Sequence, residues 1–391
     1  MCCRIQKGMT ENRTNFLTFY NNWTLIDEGN ISTGPDGVQS ADDELGQSRV
    51  VTVCLTLLFF IIGVVGICGN SLVIFAVIFN KKMRTSMTNL LITNLAFADL
   101  VIMVFGIPET IQFMMRRGWT LERIACKVNR YILVTSLYGS VLTLIALCVE
   151  RYIAIIHPIK AHIVCNKRRI VVVLGCIWPC ALLTGLPTLI FNDVTLGHPQ
   201  IPVSYCMITF PYNHVMYFKI FKYVESVLFY FIPLGIQLTL YVFISKHLFV
   251  GSDRLHRRVT IRNVNGSHLD RLSEALQARR GVVKMLMLSV IVYFISYSPN
   301  QILLICTTIS PTTFHQTFSY QVFTMIIANL NSAANPVLYS IFSQNFRQCF
   351  RYIIFGCCVE KPRPKPRSRP TVSNGSRFWR HTSLGSASTE V

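Results

Sequence analysis

Seven stretches of the chain are apolar for long enough to cross a bilayer, whose hydrocarbon core takes about 20 residues of helix. They fall at approximately 51–79, 87–115, 126–156, 170–190, 216–247, 281–308 and 317–342, the third and fifth interrupted by polar residues. This pattern predicts an all-α membrane protein, a bundle of seven transmembrane helices. An odd number of crossings places the two termini on opposite faces. After the seventh stretch, Phe346, Phe350, Ile353 and Ile354 alternate with Arg347 and Arg351 over 343–355. At helical spacing this predicts an amphipathic helix on a membrane surface. The chain therefore divides into a tail (1–50), a helical bundle (51–342), a surface helix (343–356) and a second tail (357–391). That last tail is rich in Pro, Arg and Ser and expected to be disordered.

The connections between the stretches sort by charge. Residues 80–86 carry Lys81, Lys82 and Arg84, and residues 157–169 carry Lys160, Lys167, Arg168 and Arg169. Nine more Lys and Arg lie from Lys246 to Lys284, whereas 191–217 and 309–316 contain none. Basic connections remain cytoplasmic, so the N-terminus is expected outside and the C-terminus inside. The formal net charge of +19 thus reads as orientation and as attraction to anionic headgroups, with no nucleic-acid partner expected. The sequons at Asn12, Asn22 and Asn30 fit an extracellular, glycosylated tail. Two further sequons, at Asn265 and Asn374, fall on the cytoplasmic side and are expected bare. Residues 1–8 are basic without an apolar core, so the first span is expected to act as its own insertion signal.

Charged residues make up only 14% of the chain and hydrophobic ones 51%, which favours an integral membrane protein over a string of soluble domains. Of the 14 cysteines, Cys54, Cys68, Cys148, Cys176 and Cys180 sit in apolar stretches as packing residues. Cys357 and Cys358 follow the surface helix as candidate palmitoylation sites, with unmodified thiols the alternative.

Charged and amide side chains inside a bilayer are costly, so each marks a candidate functional position. In order along the spans they are Gly69-Asn70, Leu95-Ala96 with Asp99, Glu150-Arg151-Tyr152, Trp178, Pro233 with Tyr241, Pro299, and Asn335-Pro336-Val337-Leu338-Tyr339. Together these motifs resemble the rhodopsin-like (class A) G-protein-coupled receptor family, over roughly residues 51–355.

The resemblance implies roles. Arg151, beside Glu150 and Tyr152, would be held at rest and released on activation to meet a heterotrimeric G protein. Tyr241 and Tyr339 match the tyrosines that converge on it, the latter in a motif with Asn335 and Pro336. Asp99 would lie mid-membrane, where a carboxylate must pair, protonate or bind a cation. Ser140, Asn331 and Asn335 match positions that complete an oxygen cage for a sodium ion, and a hydrogen-bonded cluster without an ion is the alternative. No other cofactor is expected. Cys126 and Cys206 match the family's extracellular disulfide. Strand-like segments at 192–196 and 204–209, separated by Gly197-His198-Pro199, predict a β-hairpin around Cys206, a lid common among peptide receptors.

Two positions depart from the family pattern. Arg279 stands where the family often places an acidic latch, so restraint of Arg151 is expected from Glu150 and packing alone. Ser296-Tyr297-Ser298-Pro299 replaces Cys-Trp-x-Pro. Pro299 still removes a backbone donor and can kink the helix, but Tyr297 stands in for the ligand-sensing tryptophan.

Ligand classes are tested by what the chain lacks. Asn329 occupies the position of a retinal lysine and Leu133 that of an amine-binding aspartate. The only tail cysteines, Cys2 and Cys3, are far from the first span, unlike those of chemokine receptors. A peptide remains, and 14–47 adds six acidic residues with no Lys or Arg. The expected pocket comprises Glu109, Gln112, Leu133, Glu225, Tyr297 and Gln301. Glu109 is expected to meet a cationic group of the ligand. Glu225 could do the same or pair internally with Lys222 or Lys219. The run from His157 to Cys165 is similar to that of the thyrotropin-releasing-hormone branch, which neighbours the ghrelin and neuromedin receptors.

The expectation is a plasma-membrane receptor for an extracellular neuropeptide, with a G protein and arrestin as cytoplasmic partners. A lipid or small-metabolite ligand is the alternative. A transporter is disfavoured because no internal repeat or pair of broken helices appears. No nucleophile–base set suggests an enzyme. At the end of the chain, Thr389 and Val391 fit the class I pattern for a PDZ scaffold, which captures a free carboxylate and the residue two before it.

Overall fold

The computed structural model describes residues 37–115, 117–164, 166–196, 204–261, 266–309 and 318–356. The sequons at Asn12, Asn22 and Asn30, the Cys357–Cys358 pair, the terminal Thr389 and Val391, and the side chain of Arg279 lie outside them. Seven long helices form the bundle: α1 (Gly37–Phe79), α2 (Met87–Met114), α3 (Arg123–Ile156), α4 (Lys167–Phe191), α5 (His214–Ser226, a π-helical turn Val227–Phe231, then Ile232–Ile261), α6 (Gly266–Ile309) and α7 (Phe318–Phe342). An eighth, α8 (Gln344–Phe355), follows with one residue between.

Helices α1, α5 and α6 extend beyond their apolar stretches. A hydrophobic run marks the part of a helix that lipid can cover, and backbone hydrogen bonding continues past it. The connections also hold two short helices absent from the sequence reading, Lys81–Arg84 and Pro158–Val164. The first is capped by Asn80, whose side chain accepts from Lys82 N at 3.0 Å and Met83 N at 3.4 Å. The second begins with Pro158, where a missing N–H costs nothing.

Among the described residues, six helices are apolar enough to cross a membrane by composition. The 25-residue α7 is long enough, at roughly 1.5 Å per residue, but more polar. Its Asn329, Asn331, Ser332 and Asn335 are all buried inside the bundle, so lipid does not meet them. Outward-facing apolar side chains such as Phe60, Val172, Leu183 and Ile295 stay exposed, as lipid contact requires. The main core runs through the bundle from Leu91 and Leu95 through Tyr138 and Leu144 to Ile244, Leu286 and Tyr339. On α8, Phe346 and Phe350 are buried while Arg347 and Arg351 are exposed.

Small residues set two of the helix crossings. A Cβ on Gly185 of α4 would stand 2.5 Å from Thr135 Cγ2 of α3, and one on Gly69 of α1 would stand 2.9 Å from Pro336 Cβ of α7. Glycine at these points lets the helices approach closely. At one end, β1 (Asn192–Leu196) and β2 (Ser204–Ile208) pair antiparallel with Val194 opposite Cys206. This is the expected hairpin, one residue shorter in its second strand.

Candidate functional site

At the hairpin end, Cys206 forms a disulfide with Cys126 near the start of α3, with a Cα–Cα distance of 5.6 Å. Trp119 packs on this bridge, and its backbone N–H donates to the Ser204 carbonyl at 2.6 Å. One helical turn beyond Cys126, Arg130 reaches Glu109 of α2 at 2.5 Å and the Cys206 carbonyl at 3.2 Å. Asn129 donates to the other Glu109 oxygen at 2.8 Å. Glu109, expected to await a ligand cation, is thus paired from within the protein. A carboxylate in so poorly hydrated a place must have a partner. Arg130 escaped the sequence reading, although an arginine inside an apolar stretch was the signal for it.

Glu225 of α5 is also engaged internally. One oxygen accepts from Tyr138 of α3 at 2.7 Å and the other from Lys222 at 2.8 Å. Of the alternatives open from sequence, the structure realises the Lys222 pair and adds Tyr138. Gln112 and Gln301 each bury a side-chain oxygen that accepts no hydrogen bond. Leu133 lies against Gly106 of α2. The ring of Tyr297 sits 4.9 Å from that of Tyr293.

A buried polar layer crosses the middle. Asp99 is fully buried and accepts from Asn335 Nδ2 at 2.7 Å. Asn70 donates to the carbonyls of Gly66 at 2.9 Å and Ser332 at 3.1 Å. The second Asp99 oxygen, the Asn70 side-chain oxygen and the Ser332 hydroxyl complete no hydrogen bond, although Ser332 lies beside the carboxylate. Ser140 and Asn331 are buried. Ser332 was missed from sequence. Toward the α4 side, Trp178 donates to Asn94 at 2.9 Å and Asn94 to Thr143 at 2.8 Å, which ties α4 to α2 and α3.

At the opposite end, Arg151 and Glu150 pair through two hydrogen bonds of 2.6 Å. Thr88 of α2 lies against both: Arg151 donates to its hydroxyl, which faces the two Glu150 oxygens at 3.3 Å. The restraint expected from Glu150 and packing alone is therefore a three-residue clamp. Tyr152 meets Phe243 of α5 edge-on at 6.4 Å. Tyr241 is buried beside Cys148. Among the described residues the Tyr339 hydroxyl has no hydrogen-bond partner, Arg151 included, and its ring stacks on Phe346 of α8 at 5.5 Å.

Among the described residues these polar clusters form a set of interhelical ties distributed from end to end. The family model described as "7 transmembrane receptor (rhodopsin family)" matches residues 69–339. The chain is similar to Neuropeptide receptor 15 of Caenorhabditis elegans, at 33% identity over 342 residues, covering 84% of this chain and 97% of that protein. It is also similar to the Allatostatin-A receptor of Bombyx mori, at 30% identity over 333 residues, with 81% and 84% covered. With the thyrotropin-releasing hormone receptor of Homo sapiens it shares 29% identity over 343 residues, with 84% and 83% covered. With seven helices in this order and these motifs on them, the chain belongs to the rhodopsin family of seven-transmembrane receptors.

Proposed function

We propose that the chain is a plasma-membrane receptor for an extracellular neuropeptide and that it signals through a heterotrimeric G protein. The observation that carries the ligand class is its similarity, over more than four-fifths of its length, to receptors named for neuropeptides. The hairpin end faces outward in this reading, because the lysine- and arginine-bearing connections gather at the other end. The sequons at Asn12, Asn22 and Asn30 then lie where glycosylation occurs. The Cys357–Cys358 pair, when acylated, would anchor the segment after α8 at the inner leaflet.

A peptide entering beside the hairpin would meet Glu109 and Arg130 as a dipolar pair, with Gln112, Leu133, Glu225, Tyr297 and Gln301 as further contacts. Differential contacts with two states of the bundle then shift their populations. In the resting state Arg151 is held by Glu150 and Thr88. In the active state it is released to the G protein while α6 moves outward.

The residues around Asp99 fit a sodium ion. Asp99, Ser140, Asn331 and Asn335 would hold it, and the orphaned oxygens of Asp99, Asn70 and Ser332 are hard donors of the kind such a cation takes. The ion would neutralise the buried carboxylate. Arrestin would engage the same cytoplasmic end as the G protein. A PDZ scaffold would take Thr389 and Val391 through the terminal carboxylate.

The test is to expose cells bearing the receptor to a neuropeptide library while recording calcium and cyclic AMP. A response to at least one peptide, absent from untransfected cells, is expected. Responses confined to lipids or metabolites would overturn the peptide reading and leave the receptor assignment standing.

A further inference from the structure

Beyond the π-helical turn, the buried side chains described in α5 are Pro233, Gln237, Tyr241 and Ile244. Their spacing puts all of them on one face of the helix. Tyr241 and Ile244 belong to the main core, to which α6 contributes Leu286 and Val290. Ile236 and Leu238, on either side of Gln237, are exposed. Helix α6 lies against α5 both before and after this point. Tyr293 donates to the Phe229 carbonyl at 2.8 Å, and the Ser245 hydroxyl lies 3.9 Å from Met287 Sδ.

Gln237 is 1% exposed, and neither its side-chain nitrogen nor its side-chain oxygen has a hydrogen-bond partner among the described residues. It is the only side-chain amide among them that leaves both ends buried and unpaired. Hydroxyls in the same core are engaged elsewhere: Tyr241 with Cys148 of α3, and Ser289 of α6 with the Met285 carbonyl at 3.2 Å. A buried amide without partners has lost its hydration and gained nothing in exchange. Leucine or methionine would fill similar space without that cost. The amide therefore raises the energy of the arrangement that contains it.

We infer that Gln237 is a built-in destabiliser of the resting bundle, relieved when α6 swings outward and water reaches its amide. The inference rests on the two states given under the proposed function. Arg151, Glu150 and Thr88 hold the resting state at the end of the bundle. Gln237 opposes that clamp from the interior. The balance between them sets how much of the receptor is active without ligand, and how small a differential affinity a ligand needs to shift it.

The test replaces Gln237 by Leu and, separately, by Met in the full receptor, purified in nanodiscs. Three quantities are read without ligand. They are the thermal midpoint, nucleotide exchange on added G protein, and the populations of the two α6 positions. The populations come from the fluorine resonance of a trifluoromethyl-phenylalanine that replaces Lys284, exposed on α6, in the parent and in both variants.

The midpoint is expected to rise by about 2–4 °C. Basal exchange should fall about fivefold, the effect of relieving one buried polar group, and the fluorine populations should move toward the resting position to match. The more stable of the two variants decides. A midpoint below the parent's in that variant, loss of folded receptor included, would mean that the amide is satisfied at rest and overturns the inference. A raised midpoint with populations unchanged, or moved toward the active position, would mean that the resting state does not carry the cost alone and overturns it equally. The populations need neither peptide nor G protein. Absence of exchange in the parent would therefore fault the signalling reading, and the populations would still decide this inference.

Discussion

Arg130 of α3 and Glu109 of α2 meet at 2.5 Å, and the same arginine donates to the carbonyl of Cys206. One guanidinium thus ties two helices to the hairpin. The arginine side chain is 40% exposed and the glutamate 16%. Charge-assisted hydrogen bonds contribute about 1.5–3 kcal/mol, and solvent at the arginine places this pair near or below the lower limit. Glu109→Gln or Arg130→Gln should each reduce the potency of an activating peptide about tenfold, and the double variant should lose less than the two losses combined. A double-mutant cycle on potency and thermal midpoint measures this. Strict additivity would mean that each residue contacts the ligand independently and that the pair is not a unit.

The clamp at the other end makes a prediction of opposite sign. Thr88→Val preserves shape and removes the hydroxyl that Arg151 and Glu150 share. Loss of one charged hydrogen bond from the resting state alone should raise ligand-independent nucleotide exchange up to about tenfold. Arg151→Ala should abolish exchange while leaving peptide affinity within about tenfold. Unchanged basal exchange in Thr88→Val would make Thr88 a packing residue only.

The helices could be located from sequence because the bilayer needs a long apolar run for each crossing, a signal that survives without knowledge of any contact. The same logic located the spans at 51–79, 216–247 and 281–308, close to Arg49–Phe79, His214–Leu248 and Arg280–Thr308, and left unread how far the helices α1, α5 and α6 run past them, because lipid contact and helical hydrogen bonding stop at different residues. Asp99, Arg151 and Asn335 were legible because polar groups in apolar stretches are rare. Partners were harder to read. That Glu109 meets Arg130, or that Thr88 joins Arg151, depends on which helix faces which, and one strand of sequence carries no such register. The π-helical turn in α5 had no sequence signal at all, since Val227 to Phe231 read as an ordinary apolar helix.

The chain terminus carries a prediction independent of the bundle. Deleting Val391, or phosphorylating Thr389, should abolish capture of a tail peptide by class I PDZ domains while peptide-evoked signalling persists. A phosphate would add about −1.5 to −2 charges inside the groove that reads that hydroxyl. A panel of PDZ domains that binds the free-acid peptide no better than its C-terminal amide would show the motif to be coincidental.

Pro233, four residues after Phe229 and just past the π-helical turn at Val227–Phe231, has no N–H to give the Phe229 carbonyl, and Tyr293 of α6 donates to that carbonyl at 2.8 Å. Next to it, the Tyr230 hydroxyl lies 2.6 Å from that of Ser298 on α6. Phe229 also stacks on Tyr138 at 3.7 Å with planes 6° apart, and Tyr138 holds Glu225. A continuous set of contacts therefore runs from an outer-half acid to α6 without the family's tryptophan. Tyr293→Phe removes one hydroxyl and leaves the Phe229 carbonyl unsatisfied in a dry interior, which costs about 1–3 kcal/mol in whichever state holds the bond. If the outward movement of α6 breaks the bond, that cost falls on the resting state alone. Basal nucleotide exchange should then rise about fivefold or more as the thermal midpoint falls. If both states keep the bond, the midpoint falls and basal exchange does not change. Measuring the two quantities on one purified variant separates these cases, and a fallen midpoint with unchanged exchange would remove Tyr293 from the transmission path.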